Sequence, residues 1–331
     1  MAILDSQASD DCGNSLETCK TWPKREFDAD RICQLRALLG SDKYVALNRR
    51  ATSALREGWG FLDGSGGNKY QNYSLNTFYG CAFNCMYCYV PKTMMIHHGG
   101  PGHDLWGKYV YNKYNMPILL ERKLRSMKRN GMLDRAVIRV SSTTDVYQPL
   151  ETQALVTRNC LKKIVENSPR WTFLQTKSTL ILRDLDVLER IKDKLIICIT
   201  VTTNDDMIGR LFEPHAPFNS SRIKVIQQLK AAGFNVETMI APILPQDTES
   251  LAKRLEPIVD RVFIKSFYET GKSGNKLRDE AYKIIFDNEM SYVLTEKFGL
   301  RTLRIFREVF NDDRRIIAGK DDFLNLDYYE A

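Results

Sequence analysis

The chain has 331 residues, 43% hydrophobic and 27% charged, a globular balance that excludes a mainly disordered chain, a collagen-like chain and a disulfide-scaffold peptide. Forty-eight basic against 41 acidic residues leave a modest net charge of +7, too small to mark a polyelectrolyte tail. No apolar run approaches the ~20 residues that span a bilayer and Met1–Asp11 lacks a secretory leader's basic start and apolar core, so no membrane partner and a cytoplasmic setting are expected, where the eight cysteines would be reduced, metal-bound or catalytic rather than paired.

Residues 1–68 read as a loose polar arm with one short amphipathic helix over 32–39 and a glycine-rich loop over 63–68. From 69 to 270 the chain changes character. A strand over 73–79 runs straight into a loop that bears cysteines. Helix 117–129 then precedes strand 136–141, and helix 152–166 precedes strand 171–176. Helix 185–191 precedes strand 195–202, helix 221–232 precedes strand 236–241, and helix 248–258 precedes strand 261–265. Short β-branched runs separated by helical periods predict βα units and a parallel sheet. Six strands joined by right-handed crossovers predict an α/β fold, a partial (β/α)6 TIM-like barrel. Residues 271–331 read as a charged, helical C-terminal appendage.

Within this order, residues 108–139 hold nine basic residues and two acidic ones, as much net charge as the whole chain. Gathered on one face, they would suit a polyanion such as nucleic acid. The plainer reading is a solvated helix surface.

The most informative stretch is Cys81-Ala82-Phe83-Asn84-Cys85-Met86-Tyr87-Cys88. Such a loop can wrap one face of an iron–sulfur cube, each thiolate holding one iron. Without a fourth thiolate one iron keeps an open position, which marks a site for chemistry. Gly80, just before the first cysteine, permits a tight turn. A zinc site is an alternative, its fourth ligand coming from His97, His98 or His103. Three plain core thiols are the remaining possibility.

The C-x3-C-x2-C spacing, with an aromatic residue before the third cysteine and βα repeats after it, resembles the radical SAM superfamily. The likeness extends from about residue 73 to 250. The runs from Asn76 to Tyr89, Val140 to Glu151, Thr176 to Asp184, Glu213 to Arg222 and Ala241 to Pro245 resemble the spore photoproduct lyase group and its wider "DNA repair photolyase" relatives. The resemblance implies a [4Fe–4S] cluster on Cys81, Cys85 and Cys88. It also implies S-adenosylmethionine (SAM) as cosubstrate, and an external electron donor such as flavodoxin or ferredoxin. SAM bound to the open iron would be cleaved reductively to a 5′-deoxyadenosyl radical that abstracts hydrogen.

By the same resemblance, SAM lies across the strand ends. Thr144 and Asp145 would stand near its amino and ribose groups, Lys177 near its carboxylate, Thr200 as a further polar contact and Ala241 beside the adenine. Tyr87 counts with them, and Tyr89 matches a tyrosine that relatives use in hydrogen relay. The plainer reading of Tyr89 is a ring packed over the cluster to exclude water. The chain's own pattern agrees in part, since these residues fall at the C-terminal ends of predicted strands, where such barrels carry their chemistry.

One departure stands out. The spore photoproduct lyase group carries a cysteine just before a Thr-Ser-Asp, which returns hydrogen to the product radical. Here that position is Ser142, ahead of Thr143-Thr144-Asp145, and a serine O–H is far stronger than a thiol S–H. Cys198 shares strand parity with Thr200 and is a possible substitute, though free cysteine is commonly a buried hydrophobe. Cys12, Cys19 and Cys33 could hold a second cluster, and Cys160 reads as core. Tyr147-Gln148-Pro149 could read or stack on a base edge or, more plainly, be a loop that packs the barrel rim, and Glu213 could pair with Arg222 to fix a loop.

The resulting expectation is a radical SAM enzyme acting on DNA, with a thymine-derived base as substrate, as in spore photoproduct repair. The alternative is a radical isomerase or modifying enzyme acting on a hypermodified thymine or a related small molecule. A zinc-stabilised nucleic-acid-binding module is the non-enzymatic alternative.

Overall fold

A computed structural model describes residues 44–58, 69–93, 105–272, 279–318 and 326–330. The expected helix over 32–39 and loop over 63–68 lie outside these residues, as do Cys12, Cys19, Cys33, His97, His98 and His103.

The expected strands appear as β3 (Gln71–Leu75), β6 (Ala136–Val140), β7 (Trp171–Thr176), β8 (Leu195–Thr200), β9 (Asn235–Ile240) and β10 (Arg261–Ile264). They pair in chain order and all parallel, so the partial barrel is the observed architecture. β6 and β8 are buried along their whole length, as strands covered on both faces must be. Helices supply the outer layer. In Met116–Arg129, Met116, Leu120, Leu124 and Met127 form one buried stripe at helical spacing, and a proline occupies the first turn.

Several elements differ from expectation. The strand over 73–79 breaks at Asn76. β3 stays in the barrel, whereas β4 (Phe78–Tyr79) leaves it and pairs antiparallel with β5 (Tyr109–Asn112). β5 also pairs parallel with β1 (Val45–Asn48), which makes a small three-stranded sheet. Asn76 itself is held at the branch, its Oδ1 accepting from Thr143 N at 2.9 Å and its Nδ2 donating to Ser142 Oγ at 2.8 Å. Helix 152–166 is two helices, Glu151–Ala154 and Val156–Asn167, divided at left-handed Leu155 (φ 51°). The buried Glu151 carboxylate accepts from Thr157 N and Arg158 N, both at 3.0 Å, and so caps the second helix. The segment after residue 271 is not wholly helical. Its β11 (Ile316–Ala318) pairs parallel with β10 at one sheet edge, while β2 (Arg56–Glu57) pairs antiparallel with β3 at the other.

The basic segment does not gather on one face. Arg122, Lys123, Arg125, Lys128 and Arg129 are exposed on the outer helix, Lys113 points inward to Asn76 O at 2.8 Å, and Arg139 is buried inside the barrel. No helix among the described residues is long and apolar enough to cross a membrane.

The bottom of the barrel is closed by side chains. Trp171, Phe173, Ile196, Phe263 and Ile317 pack together there with Leu326. Beside them Glu237 accepts from Arg261 Nη1 at 3.3 Å and from Tyr329 Oη at 2.8 Å. Leaving a buried carboxylate short of a donor costs about 1–3 kcal/mol. Tyr329→Phe should lower stability by that amount in denaturant unfolding, and an unchanged midpoint would show that the C-terminal helix does not fasten the barrel floor.

Candidate active site

The cysteine loop follows β4 and is pinned at both ends. Gly80 takes φ +84°, and a Cβ there would lie 2.5 Å from the Tyr109 carbonyl oxygen, so only glycine fits. The Gln148 side chain, fully buried, donates to Gly80 O at 3.2 Å and accepts from Ala82 N at 2.8 Å, thereby clamping the backbone on either side of Cys81. Gln148 therefore reads no base edge, contrary to expectation. Both its polar ends are spent on the loop.

The far end docks on the barrel rim. Met86 N donates to Phe212 O at 2.8 Å. The Tyr87 hydroxyl donates to Glu213, whose other oxygen accepts from Arg222 Nη2 at 2.5 Å. The expected Glu213–Arg222 pair thus forms, with both side chains 1% exposed. Arg222 also donates to Thr200 O at 3.1 Å and Pro217 O at 2.9 Å. Burial alone would raise the Glu213 pKa, but Arg222 and then Lys177 more than offset it and hold the carboxyl below its usual range.

Between loop and strand ends lies a cleft of about 1140 Å³, its open mouth included. The loop side supplies Cys81, Cys85, Cys88, Tyr87 and Tyr89. The strand ends supply Ser142, Thr144, Asp145, Lys177, Thr200 and Ala241. Cys198 is not among the lining residues. It is 1% exposed in the barrel interior, one side-chain step below Thr200.

Local contacts give several of these residues definite duties. Asp145 accepts from Tyr147 N at 2.9 Å and Thr176 Oγ1 at 2.7 Å with one oxygen, and from Lys177 N at 2.7 Å with the other. It thereby ties the end of β6 to the end of β7 and fixes the backbone of Lys177. The Lys177 ammonium lies 5.7 Å from the Tyr87 ring centroid. Burial works to lower its pKa, yet Cys85 and Glu213 carry it above the ordinary lysine value. The Tyr89 hydroxyl donates to the Ser142 carbonyl at 3.3 Å, so two residues singled out for hydrogen handling touch each other.

Sequence reasoning missed Arg139, Gln175 and Lys265, which also line the cleft. Arg139 Nη2 donates to Gln175 Oε1 at 2.8 Å. A signal was available: Arg139 is one charged residue inside the otherwise apolar strand Ala-Val-Ile-Arg-Val.

The donor set fits a multi-iron cluster. Among the described residues no group of three His, Cys, Asp or Glu converges closely enough to hold a single metal ion. The three cysteines all line the one cleft, and a cube takes one thiolate on each of three irons. No fourth cysteine and no histidine is among the lining residues described.

A sequence model of the radical SAM superfamily matches residues 75–256. The protein ORF301 of Acidianus two-tailed virus is 28% identical over 242 residues, which are 68% of this chain and 77% of that protein. MJ0683 of Methanocaldococcus jannaschii is 29% identical over 190 residues, 57% and 67% of the two chains. A spore photoproduct lyase variant with bound AdoMet and dinucleoside spore photoproduct superposes with a TM-score of 0.55 at 11% identity, covering 89% of this chain and 95% of that one. A cysteine-to-serine variant of spore photoproduct lyase gives 0.54 at 14% identity, covering 88% and 85%. At such identities the likeness is one of fold.

Breaking a buried pair by removing one partner costs about 3–5 kcal/mol. Arg222→Met should therefore strongly lower the urea midpoint of the cluster-free chain, and adding Glu213→Gln should recover part of the loss. Equal midpoints for Arg222→Met and the unaltered chain would remove this pair as the anchor of the loop.

Proposed function

The chain belongs to the radical SAM superfamily, whose enzymes use a [4Fe–4S] cluster and SAM, and from this we propose that it abstracts hydrogen from a nucleic-acid base, a thymine-derived base in DNA. When bound, the cluster and SAM supply a 5′-deoxyadenosyl radical. The chain's own residues do the rest. Cys81, Cys85 and Cys88 would hold the cluster, and the pinned loop presents all three to the same cleft. Lys177 offers a cation for the SAM carboxylate, with Asp145 and Tyr87 holding Lys177 in place. Thr144 offers a contact near its amino and ribose groups, Thr200 a further polar contact and Ala241 a neighbour for its adenine. Phe83, Val90 and Trp106 line the same cleft and exclude water. An electron donor such as flavodoxin or ferredoxin would reduce the cluster.

The observation that carries this reading is the Tyr89–Ser142 contact on a thiol-walled cleft at the strand ends. It sits in a fold shared with a lyase that binds AdoMet and a dinucleoside. Tyr89 is the residue proposed to hold or pass a hydrogen at its hydroxyl.

A second reading, rearrangement or modification of the base rather than repair, is favoured by one specific feature. Among the described residues that line the cleft, the three cluster thiols are the only cysteines. Ser142 stands where a thiol donor would be needed, and its Oγ accepts from Asn76. An enzyme whose product radical takes hydrogen back from 5′-deoxyadenosine needs no such thiol.

Anaerobic turnover with DNA deuterated in its thymine, modified or unmodified, should carry deuterium into 5′-deoxyadenosine. No transfer from any DNA would overturn the substrate class. Cys88→Ala should lose both bound iron and 5′-deoxyadenosine formation, and a variant that still formed 5′-deoxyadenosine would refute the ligand assignment.

A further inference from the structure

A second cavity of about 890 Å³, its mouth included, lies against the cleft and shares Val90, Ser142, Thr143 and Thr144 with it as a common wall. Its chemistry differs from that of the cleft. Arg56 and Lys113 line it together with the hydroxyl residues Ser53 and Ser74, and no Asp or Glu is among the described lining residues.

Three cations gather at this place. Lys113 is largely buried, and its pKa is pushed down to about 8, first by burial and then by the charges of Arg49 and Arg56. Arg49 stacks on Tyr79, a ring that lines the cavity, with its guanidinium 5.3 Å from the centroid. The described lining of the cavity thus carries two cations, several hydroxyls and no carboxylate, a chemistry that suits an anion.

The cavity is also joined to the reacting end of the cleft through one residue. Asn76 accepts from Lys113 Nζ at its carbonyl, and its side chain holds Ser142 Oγ and Thr143 N. A ligand group held by Lys113 is therefore in register with whatever lies beside Ser142.

We propose that this cavity is a phosphate subsite, in which Arg56 and Lys113 hold a phosphate group of a nucleotide whose base occupies the adjoining cleft. The guanidinium fork and the serine hydroxyls suit the oxygens of a phosphate monoester or diester alike. The inference rests on the reading that the substrate is a nucleotide, and it adds where the charged part of that substrate is recognised.

The test is calorimetric binding to the full-length, cluster-loaded chain with SAM present, at low salt. Four probes are compared: thymidine, thymidine 5′-monophosphate, the dinucleoside phosphodiester of thymidine, and inorganic phosphate. Phosphate-bearing ligands should bind about tenfold or more tightly than thymidine, in keeping with charge-assisted hydrogen bonds. Arg56→Gln should erase that advantage while leaving thymidine affinity unchanged. Arg56 is exposed on an edge strand, so the variant should fold, and Lys113→Gln serves as a second, independent variant. A tighter diester would identify an internal phosphate of a polymer, and a tighter monoester a free nucleotide. Both support the subsite. Equal affinity for thymidine and its phosphates, or an advantage that survives both variants, overturns it. If no thymidine compound binds but inorganic phosphate does, and Arg56→Gln abolishes that binding, the nucleotide reading fails while the anion subsite stands.

Discussion

A charge pair removed from water governs how the rest of the site is built. Glu213 and Arg222 are each 1% exposed and face each other at 2.5 Å. Such a pair is tolerated only when every remaining lone pair and N–H finds a partner. Here the partners are the parts that must be joined: the Tyr87 hydroxyl from the cysteine loop, the Thr200 carbonyl at the end of β8, and the Pro217 carbonyl in the following loop. The need to satisfy a buried charge thus becomes the means of locating a cysteine loop on a barrel. Gln148 repeats the device at the other end with a neutral group, fastening Gly80 and Ala82 around Cys81. Side chains that are to hold a metal cluster need such rigidity, since loop geometry sets which atom reaches which metal.

The strand ends follow the same logic. Asp145 spends both oxygens on backbone and hydroxyl donors from β7 and its own loop, so its work is to aim Lys177. Asn76 marks the point where the chain leaves the barrel for the small sheet, and it links Lys113 to Ser142 and Thr143. Across the cleft and its neighbouring cavity the charged lining residues described are Arg139, Lys177, Lys265, Arg56 and Lys113 against Asp145 alone. A concave surface so biased draws anionic ligands, in contrast to the outer helix, whose lysines and arginines are spread in solvent.

Ser142 is held at both its hydroxyl and its carbonyl. Its hydroxyl is engaged by Asn76 and its carbonyl by Tyr89. Cys198, the other thiol considered, lies in the barrel interior, where burial pushes its pKa well above the ordinary thiol value. Among the described residues that line the cleft, Cys81, Cys85 and Cys88 are the only cysteines, and Tyr89 stands beside them.

Local pattern was enough for the barrel strands after β3, because each is a short, largely apolar run beside helical periods, and for the cysteine triplet, because the three cysteines lie within eight residues. The amino-acid order could therefore specify fold class, loop and cluster unaided. It could not specify β1, β4, β5 or β11, which have two to four residues and no period of their own. Those strands exist only because a distant strand offers them a ladder. The clamp by Gln148, the aim of Lys177, the withdrawal of Cys198 from the cleft and the joining of two cavities across Ser142 were likewise decided in three dimensions. Each depends on side chains far apart in sequence meeting where water is excluded, and hydrophobic periodicity carries no record of which buried polar groups will find each other.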